Sequence, residues 1–456
     1  MSENYISYKN GNEIAYETKK TEEKMVYPLK EVKSKFILKK IISCIQSEKL
    51  MKIIFHNKNL QKKLYLSIID YKKLCNVEIE MENIYRKIKE DAYFIHYLNE
   101  ETSSFYHIYF DDNKEEMKRN YLTPEDKITK IKISIDSGIE SLKNLFYNCA
   151  IIKRIKFNKF NIKDIIDFSY MFYNCKFIEN IDVSKVKTEN VKNYEYMFYN
   201  CSKLPNLSLS HFSTYNAENF AHMFDGCFSL INLNIPHFET KNAIDISSMF
   251  QDCVLLTNLN LEHFFTNNVS NMSYLFKNCT SLNCLNIKNF NTEKVVNMTG
   301  MFYGCKSLIS LDLSHFSTNN VENFSDMFYC CSSLNSLDIS KFKTDKATNL
   351  EGMFFHCESL PEICIPNFNT NNTESMRSMF QDCLSLIRLN IMNFNTSKVK
   401  NMSGMFCNCF SLIDLVLPEK NFITDNVLNI SYMFYNCKFI ENIDVSKVKT
   451  ENVKNL

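Results

Sequence analysis

Asn271 to Leu285 reads N-M-S-Y-L-F-K-N-C-T-S-L-N-C-L, and Asn297 to Leu311 reads N-M-T-G-M-F-Y-G-C-K-S-L-I-S-L. The same grammar recurs along most of the chain, and cysteine marks it best. Cys149, Cys175, Cys201, Cys227, Cys253, Cys279, Cys305, Cys331, Cys357, Cys383 and Cys409 each follow the last by 26 residues, and Cys437 follows after 28. A fixed period of this size is the signature of a stacked solenoid, in which no repeat buries its apolar face alone.

Counting from Cys305, apolar residues fall at Leu308, Leu311 and Leu313, then Phe316, Thr318 and Val321. Leu311 and Leu313 share one face of a short strand, because strand side chains alternate. Asn323 is followed by Phe324, Met327, Phe328 and Cys331. That spacing predicts a short helix with Asn as its N-cap. Asn271, Asn297, Asn349, Asn401 and Asn429 hold the same place. The expected fold class is thus an α/β solenoid, each repeat one short parallel strand, one turn and one short helix.

The string M-F-Y-x-C-x-S-L-x-x-L-D-L-S-x-F-x-T-x-x-V-x-N-M, read at Met301 to Phe324, resembles the BspA-like family of leucine-rich repeats. This copy departs from it at the last place, where Phe324 stands for Met. The resemblance runs from about Leu142 to Leu456. It implies a leucine-rich-repeat fold and protein binding, often at the surfaces of bacteria and protists, and it brings no catalytic residues.

A net charge of +1 over 456 residues argues against nucleic acid as the main partner. Met1 to Lys20 is polar with no apolar signal core, and no run of about 18 apolar residues predicts a membrane span. The expected compartment is the cytosol, where 18 cysteines stay reduced. The alternative is the cell surface, if a signal lies upstream.

Four segments are expected. Residues 1–25 form a polar tail. Residues 26–75 form a helical segment carrying Val32, Phe36, Ile37, Ile41, Ile42, Ile45, Leu50, Met51, Ile53 and Ile54. That segment is either a cap on the open end of the solenoid or, by its rhythm, similar to an F-box that docks a ubiquitin-ligase adaptor. Residues 76–122 form a mixed α/β connector, and 123–456 the solenoid, with a divergent first repeat at 123–148. Two residues are inserted between Leu417 and Phe422, and Ser169–Asn193 is identical to Ser431–Asn455.

The marker cysteines read as small buried hydrophobes, not as a metal array. Ten places after each lies a polar column that includes His211, His237, His263 and His315, an edge ridge suited to an exposed turn or to a metal-binding or pH-sensitive role. The strand positions that alternate with the buried ones form the candidate concave binding face: Asn206, Ser208, Asn232, Asn234, Asn258, Asn260, Asn286, Asp312, Asp338 and Asn390. An Asn ladder along the stack is the competing use of these amides. The Asn-Met-Ser, Asn-Met-Thr and Asn-Ile-Ser triplets at Asn271, Asn297, Asn401 and Asn429 are glycosylation sequons that capping explains without sugar. No phosphate loop, H-E-x-x-H or G-x-S-x-G occurs. The expected function is a non-enzymatic protein-binding scaffold needing no cofactor, with an F-box-like substrate adaptor or a surface adhesin as rivals. The last repeat lacks a covering layer, so end-to-end self-association through it is also expected.

Overall fold

The structure is a computed structural model, and it describes residues 5–9, 13–17, 25–28, 76–82, 89–97, 101–136, 139–419, 422–440 and 453–454. The chain divides into two units, 1–77 with 135–137, and 78–134 with 138–456. In the first, β1 (Tyr5–Lys9), β2 (Glu13–Glu17) and β3 (Met25–Pro28) form an antiparallel sheet in that order. Residue Tyr5 pairs with Glu17, and Glu13 with Pro28. The expectation of an α-rich N-terminal segment is corrected here, since what is described is strand. The reason is a period-2 pattern of Ile and Tyr (Ile6, Tyr8; Ile14, Tyr16) inside a polar composition. The rest of the helical segment, residues 29–75, lies outside the described residues.

The second unit opens with β4 (Asn76–Glu82), β5 (Ala92–Tyr93), β6 (Tyr106–Phe110), β7 (Tyr121–Leu122), β8 (Lys130–Asp136) and β9 (Arg154–Phe160). The main sheet runs β10-β9-β4-β8-β6, with β10 at Asn180–Asp182. Alternation decides which face is covered: Ile79, Met81, Ile108, Ile131, Ile133, Ile155 and Phe157 are buried. Parallel pairing of β9 with β10 sets Ile155 beside Ile181, a register of 26 residues that the coils then keep.

Beyond this sheet the chain winds as a leucine-rich-repeat-like β-solenoid. Short parallel strands follow: β11 (Asn206–Ser208), β12 (Asn232–Asn234), β13 (Ser310–Asp312), β14 (Ser336–Asp338), β15 (Glu362–Ile363), β16 (Arg388–Asn390) and β17 (Asp414–Val416). Their ladder lapses between coils, so they are not the spine of the stack. The continuous link is the Asn column. Parallel bridges run Ser141, Asp167, Asn193, Asn219, Asp245, Asn271, Asn297, Asn323, Asn349, Ser375, Asn401 and Asn429, coil to coil.

The core is a set of columns, each one residue type repeated. Phe146, Phe172, Phe198, Phe224, Phe250, Phe276, Phe302, Phe328, Phe354, Phe380, Phe406 and Phe434 stack with neighbouring centroids 5.2 to 5.8 Å apart. Each marker cysteine from Cys149 to Cys409 is fully buried. Most of its thiols donate to a Phe carbonyl one coil back, as Cys305 does to Phe276 at 3.2 Å. Burial pushes these thiols well above the ordinary cysteine range. A column of buried threonines closes each coil: Thr292 Oγ1 donates to the Ser317 carbonyl at 2.8 Å and accepts the Ser317 N–H at 2.8 Å.

Among the described residues the expected helix of each repeat is absent, and this is the main correction to the α/β expectation. Phe168, Met171, Phe172 and Cys175 are buried as their spacing predicts. Their backbone is a run of overlapping turns. Met171, Tyr173 and Cys175 donate to Phe168, Tyr170 and Phe172, three residues back. The alternate N–H groups of Phe168, Tyr170, Phe172 and Asn174 donate to Asn193, Glu195, Met197 and Tyr199 of the next coil. Positive φ at Tyr170 (58°) and Asn174 (60°), repeated in every coil, breaks any α-helical run. The step between coils explains the choice. Helices with side chains are about 10 Å across, and rings stacked near 5.5 Å, as Phe354 on Phe380, leave no room for one per coil.

The N-cap asparagines do cap, but they cap turns. Asn271 Oδ1 accepts the Ser273 N–H at 3.1 Å and its hydroxyl at 2.8 Å. Asn297, Asn401 and Asn429 repeat this with Thr299, Ser403 and Ser431. At the inserted corner, Phe422 regains the buried column and Thr396 Oγ1 donates to the Ile423 carbonyl at 2.7 Å. The stack thus continues past the two extra residues.

Candidate interaction surface

Every residue of the candidate face, from Asn206 to Asn390, is exposed. The oxygens of its second column are tied down locally. Asp312 Oδ1 accepts the Ser314 N–H at 2.9 Å, and Asp338 Oδ1 accepts the Ser340 N–H at 3.0 Å and its hydroxyl at 2.7 Å. Asn260, Asn286 and Asn390 accept the N–H two residues on, from Glu262, Lys288 and Met392. Bonds from these serines hold both carboxyls below the ordinary Asp range. Such turns fix the side chains in advance. A true cross-coil amide ladder covers only one stretch: Asn232 Nδ2 donates to Asn206 Oδ1 at 2.6 Å, and Asn234 Nδ2 to Ser208 Oγ at 3.2 Å.

Two grooves mark the face. One, of about 500 Å³, gathers Asn206, Ser208, His211, Asn232 and Asn234 with Asn180 and Asp182. The other, of about 360 Å³, holds Asn390 with Arg388, Met392, Glu362, Asp414 and Val416. Asn258, Asn260, Asn286, Asp312 and Asp338 line neither groove.

The edge ridge is less uniform. His211, His237, His263 and His315 are all exposed, and the His237 and His263 rings are 6.5 Å apart. His315 instead bonds back, Nε2 to the Ile287 carbonyl at 3.1 Å. Asn289, Asn367 and Asn393, in the same column, donate to Glu262, Ser340 and Pro366 carbonyls of the preceding coil. This column is partly a structural tie. Among the described residues, no three His, Cys, Asp or Glu side chains are gathered to hold a metal.

Sequence reasoning missed the turn side, where two positive-φ columns lie. In the one just before each marker cysteine, Asn200 donates to Asn174 and Asn174 to Asn148, each at 2.7 Å. The usable signal was Asn, Asp or Gly at almost every copy of that position, the residues that best tolerate this backbone. In the other, Tyr170, Tyr196 and His222 stack, and His222 Nδ1 pairs with Asp225 Oδ2 at 2.7 Å. Burial pushes the Asp225 carboxyl up.

Stacked coils with short parallel strands, a Phe ladder and an Asn spine define a leucine-rich-repeat-like solenoid. The chain belongs to the family described as "Mycoplasma protein of unknown function, DUF285", matched over residues 140–260, 245–364 and 361–456. No curated protein matches it in sequence. Among solved structures, it is similar to the chain in "Crystal structure of TLR13-ssRNA13 complex", at 15% identity and TM-score 0.26, covering 61% of this chain and 45% of that one. It is also similar to "Functional domain of InlJ from Listeria monocytogenes includes a cysteine ladder", at 12% identity and TM-score 0.20, covering 70% and 59%. The chain thus spans about half the length of these structures. Among the described residues, no helix is long and apolar enough to cross a membrane.

Proposed function

We propose that the chain is a non-enzymatic scaffold that binds a protein partner on the strand face. The observation that carries this is the row of exposed Asn, Ser and Asp side chains, one pair per coil, held by turns before any ligand arrives. A face fixed in advance loses less entropy on binding. Within its family, the repeat string at Met301–Phe324 supports reading the chain as of the BspA-like type. Its free, buried thiols suit a reducing compartment, and we take the cytosol as its site of action.

Site-specific photo-crosslinkers at Asn232 and Asn258 test the reading, with one at Ile166, outside the candidate face, as control. Capture of one defined protein from both strand-face positions and not from Ile166 supports it. Capture from Ile166 alone would overturn it. A ubiquitin-ligase adaptor crosslinked through residues 26–75 would favour the adaptor rival, and labelling on intact cells the adhesin.

A further inference from the structure

The turn side carries an aromatic raft that the strand-face reading does not use. Tyr147, Tyr173 and Tyr199 stack with centroids 4.8 and 4.6 Å apart. Alongside them Tyr170, Tyr196 and His222 stack at 4.9 and 4.3 Å. The two columns touch, Tyr170 to Tyr173 at 5.6 Å and Tyr196 to Tyr199 at 5.4 Å. Tyr147 meets His96 at 6.2 Å, and His96 stacks on the exposed Tyr93. These rings continue the raft onto the elements before the first coil.

Ring faces inside the stacks are covered by other rings, so they are closed to a nucleobase or a sugar. Ring edges and hydroxyls remain. The hydroxyls of Tyr147, Tyr170, Tyr173, Tyr196 and Tyr199 have no hydrogen-bond partner among the described residues. Burial pushes the Tyr170, Tyr173, Tyr196 and Tyr199 phenols up, Tyr196 to about 12, so these four stay neutral donors at physiological pH.

From this geometry we propose that the raft docks a proline-rich segment of a partner in the polyproline II conformation, lying along the solenoid axis. The match is one of repeat length. A polyproline II helix turns once per three residues at about 3.1 Å each, about 9.3 Å, and two steps of the Tyr147–Tyr173–Tyr199 column span the same distance. One face of such a helix therefore meets the raft in the same way every second coil. Its carbonyls have no internal donors and accept from phenols. An extended strand, whose same-face residues repeat at about 6.6 to 6.8 Å, matches neither one step nor two.

The test titrates the full chain with acetylated decaproline, and with a Gly-Ser decamer as control, by isothermal calorimetry. Tyr173→Phe with Tyr199→Phe keeps the stacks and removes two donors. We expect saturable decaproline binding, weakened about 4- to 100-fold in the double variant, at about 2- to 10-fold per lost neutral hydrogen bond. Tyr303→Phe is the internal control. Tyr303 also stacks, on Tyr329 at 4.4 Å, but it lies outside the two columns of the raft, and binding should be unchanged. Absence of saturation into the millimolar range, equal binding of the Gly-Ser decamer, or an unaffected double variant would each overturn the proposal. So would concentration-dependent dimers abolished by the Tyr173 and Tyr199 changes, which would assign the raft to a second copy of this chain. Strand-face crosslinks are unaffected by any of these outcomes, so the two readings fail separately.

Discussion

Gly304→Ala separates a helix from a run of turns by the sign of its effect. In a helix interior, Ala in place of Gly stabilises by about 0.5–1 kcal/mol. Here Gly304 has φ of 70°, and an L side chain in that region costs about 1–2 kcal/mol. An added Cβ would also run into Asn278 Oδ1. Asn278 Nδ2 donates to Asp252 Oδ1 at 2.8 Å, and displacing that amide adds about 1 kcal/mol. The expected loss is therefore about 2–3 kcal/mol. Gly304→Asn should cost less, because Asn accepts this backbone and can extend the amide ladder. The assay is urea unfolding followed by circular dichroism. Hydrogen exchange on the coils either side is needed as well, since repeat arrays depart from two-state behaviour. A Gly304→Ala protein more stable than the parent would refute the account of the turn side.

Thiol labelling of the native protein at pH 8 should modify the exposed Cys284 and Cys364 quickly and leave Cys253, Cys279 and Cys305 unmodified until urea unfolds the chain. Thr292→Val should cost about 1–3 kcal/mol, the penalty for leaving the Ser317 N–H unpaired, while Thr292→Ser should cost clearly less. The Asp326 carboxyl is raised to about 6, mainly by burial and then by Glu351. Its folded-state affinity for protons exceeds the unfolded one, so it favours folding fully at low pH, and that contribution is lost as pH rises through about 6. Asp326→Asn should flatten the fall in urea midpoint between pH 4 and pH 7 and raise the midpoint at pH 8. A variant that titrates like the parent would rule out this carboxyl as the cause.

Period, register and burial were all legible in the sequence. The cysteine spacing gives the coil length, and Leu308, Leu311, Phe316, Met327 and Phe328 are buried as their positions imply. Hydrogen bonding was not legible, for a definite reason. Positions one, four, five and eight fall inward in a helix, and they fall inward equally in turns closed three residues back. Periodicity reports which side chains share a face, not which carbonyl receives each N–H. The deciding clue was conformational: Asn174, Asn200 and Asn278, and Gly226 and Gly304 in the same column, mark a left-handed residue. The candidate face was legible as a column, because Asn232 and Asp312 lie where alternation puts them. Its grooves were not, because they depend on neighbouring coils whose side chains differ in size.

The Asn bridges have a consequence for how such a chain changes length. Each coil is joined to the next by the same backbone contacts, made at the same positions, whatever the side chains on its surface. A coil is thus an interchangeable part with standard couplings. Ser431–Asn455 repeats Ser169–Asn193 residue for residue, and in its described part Met433 accepts the Phe406 N–H as Met171 accepts that of Phe146. The two extra residues before Phe422 show where tolerance lies, at the corner after the strand and away from the couplings. Selection can then lengthen the array and re-letter its faces independently, so that reach and recognition evolve as separate properties of one molecule.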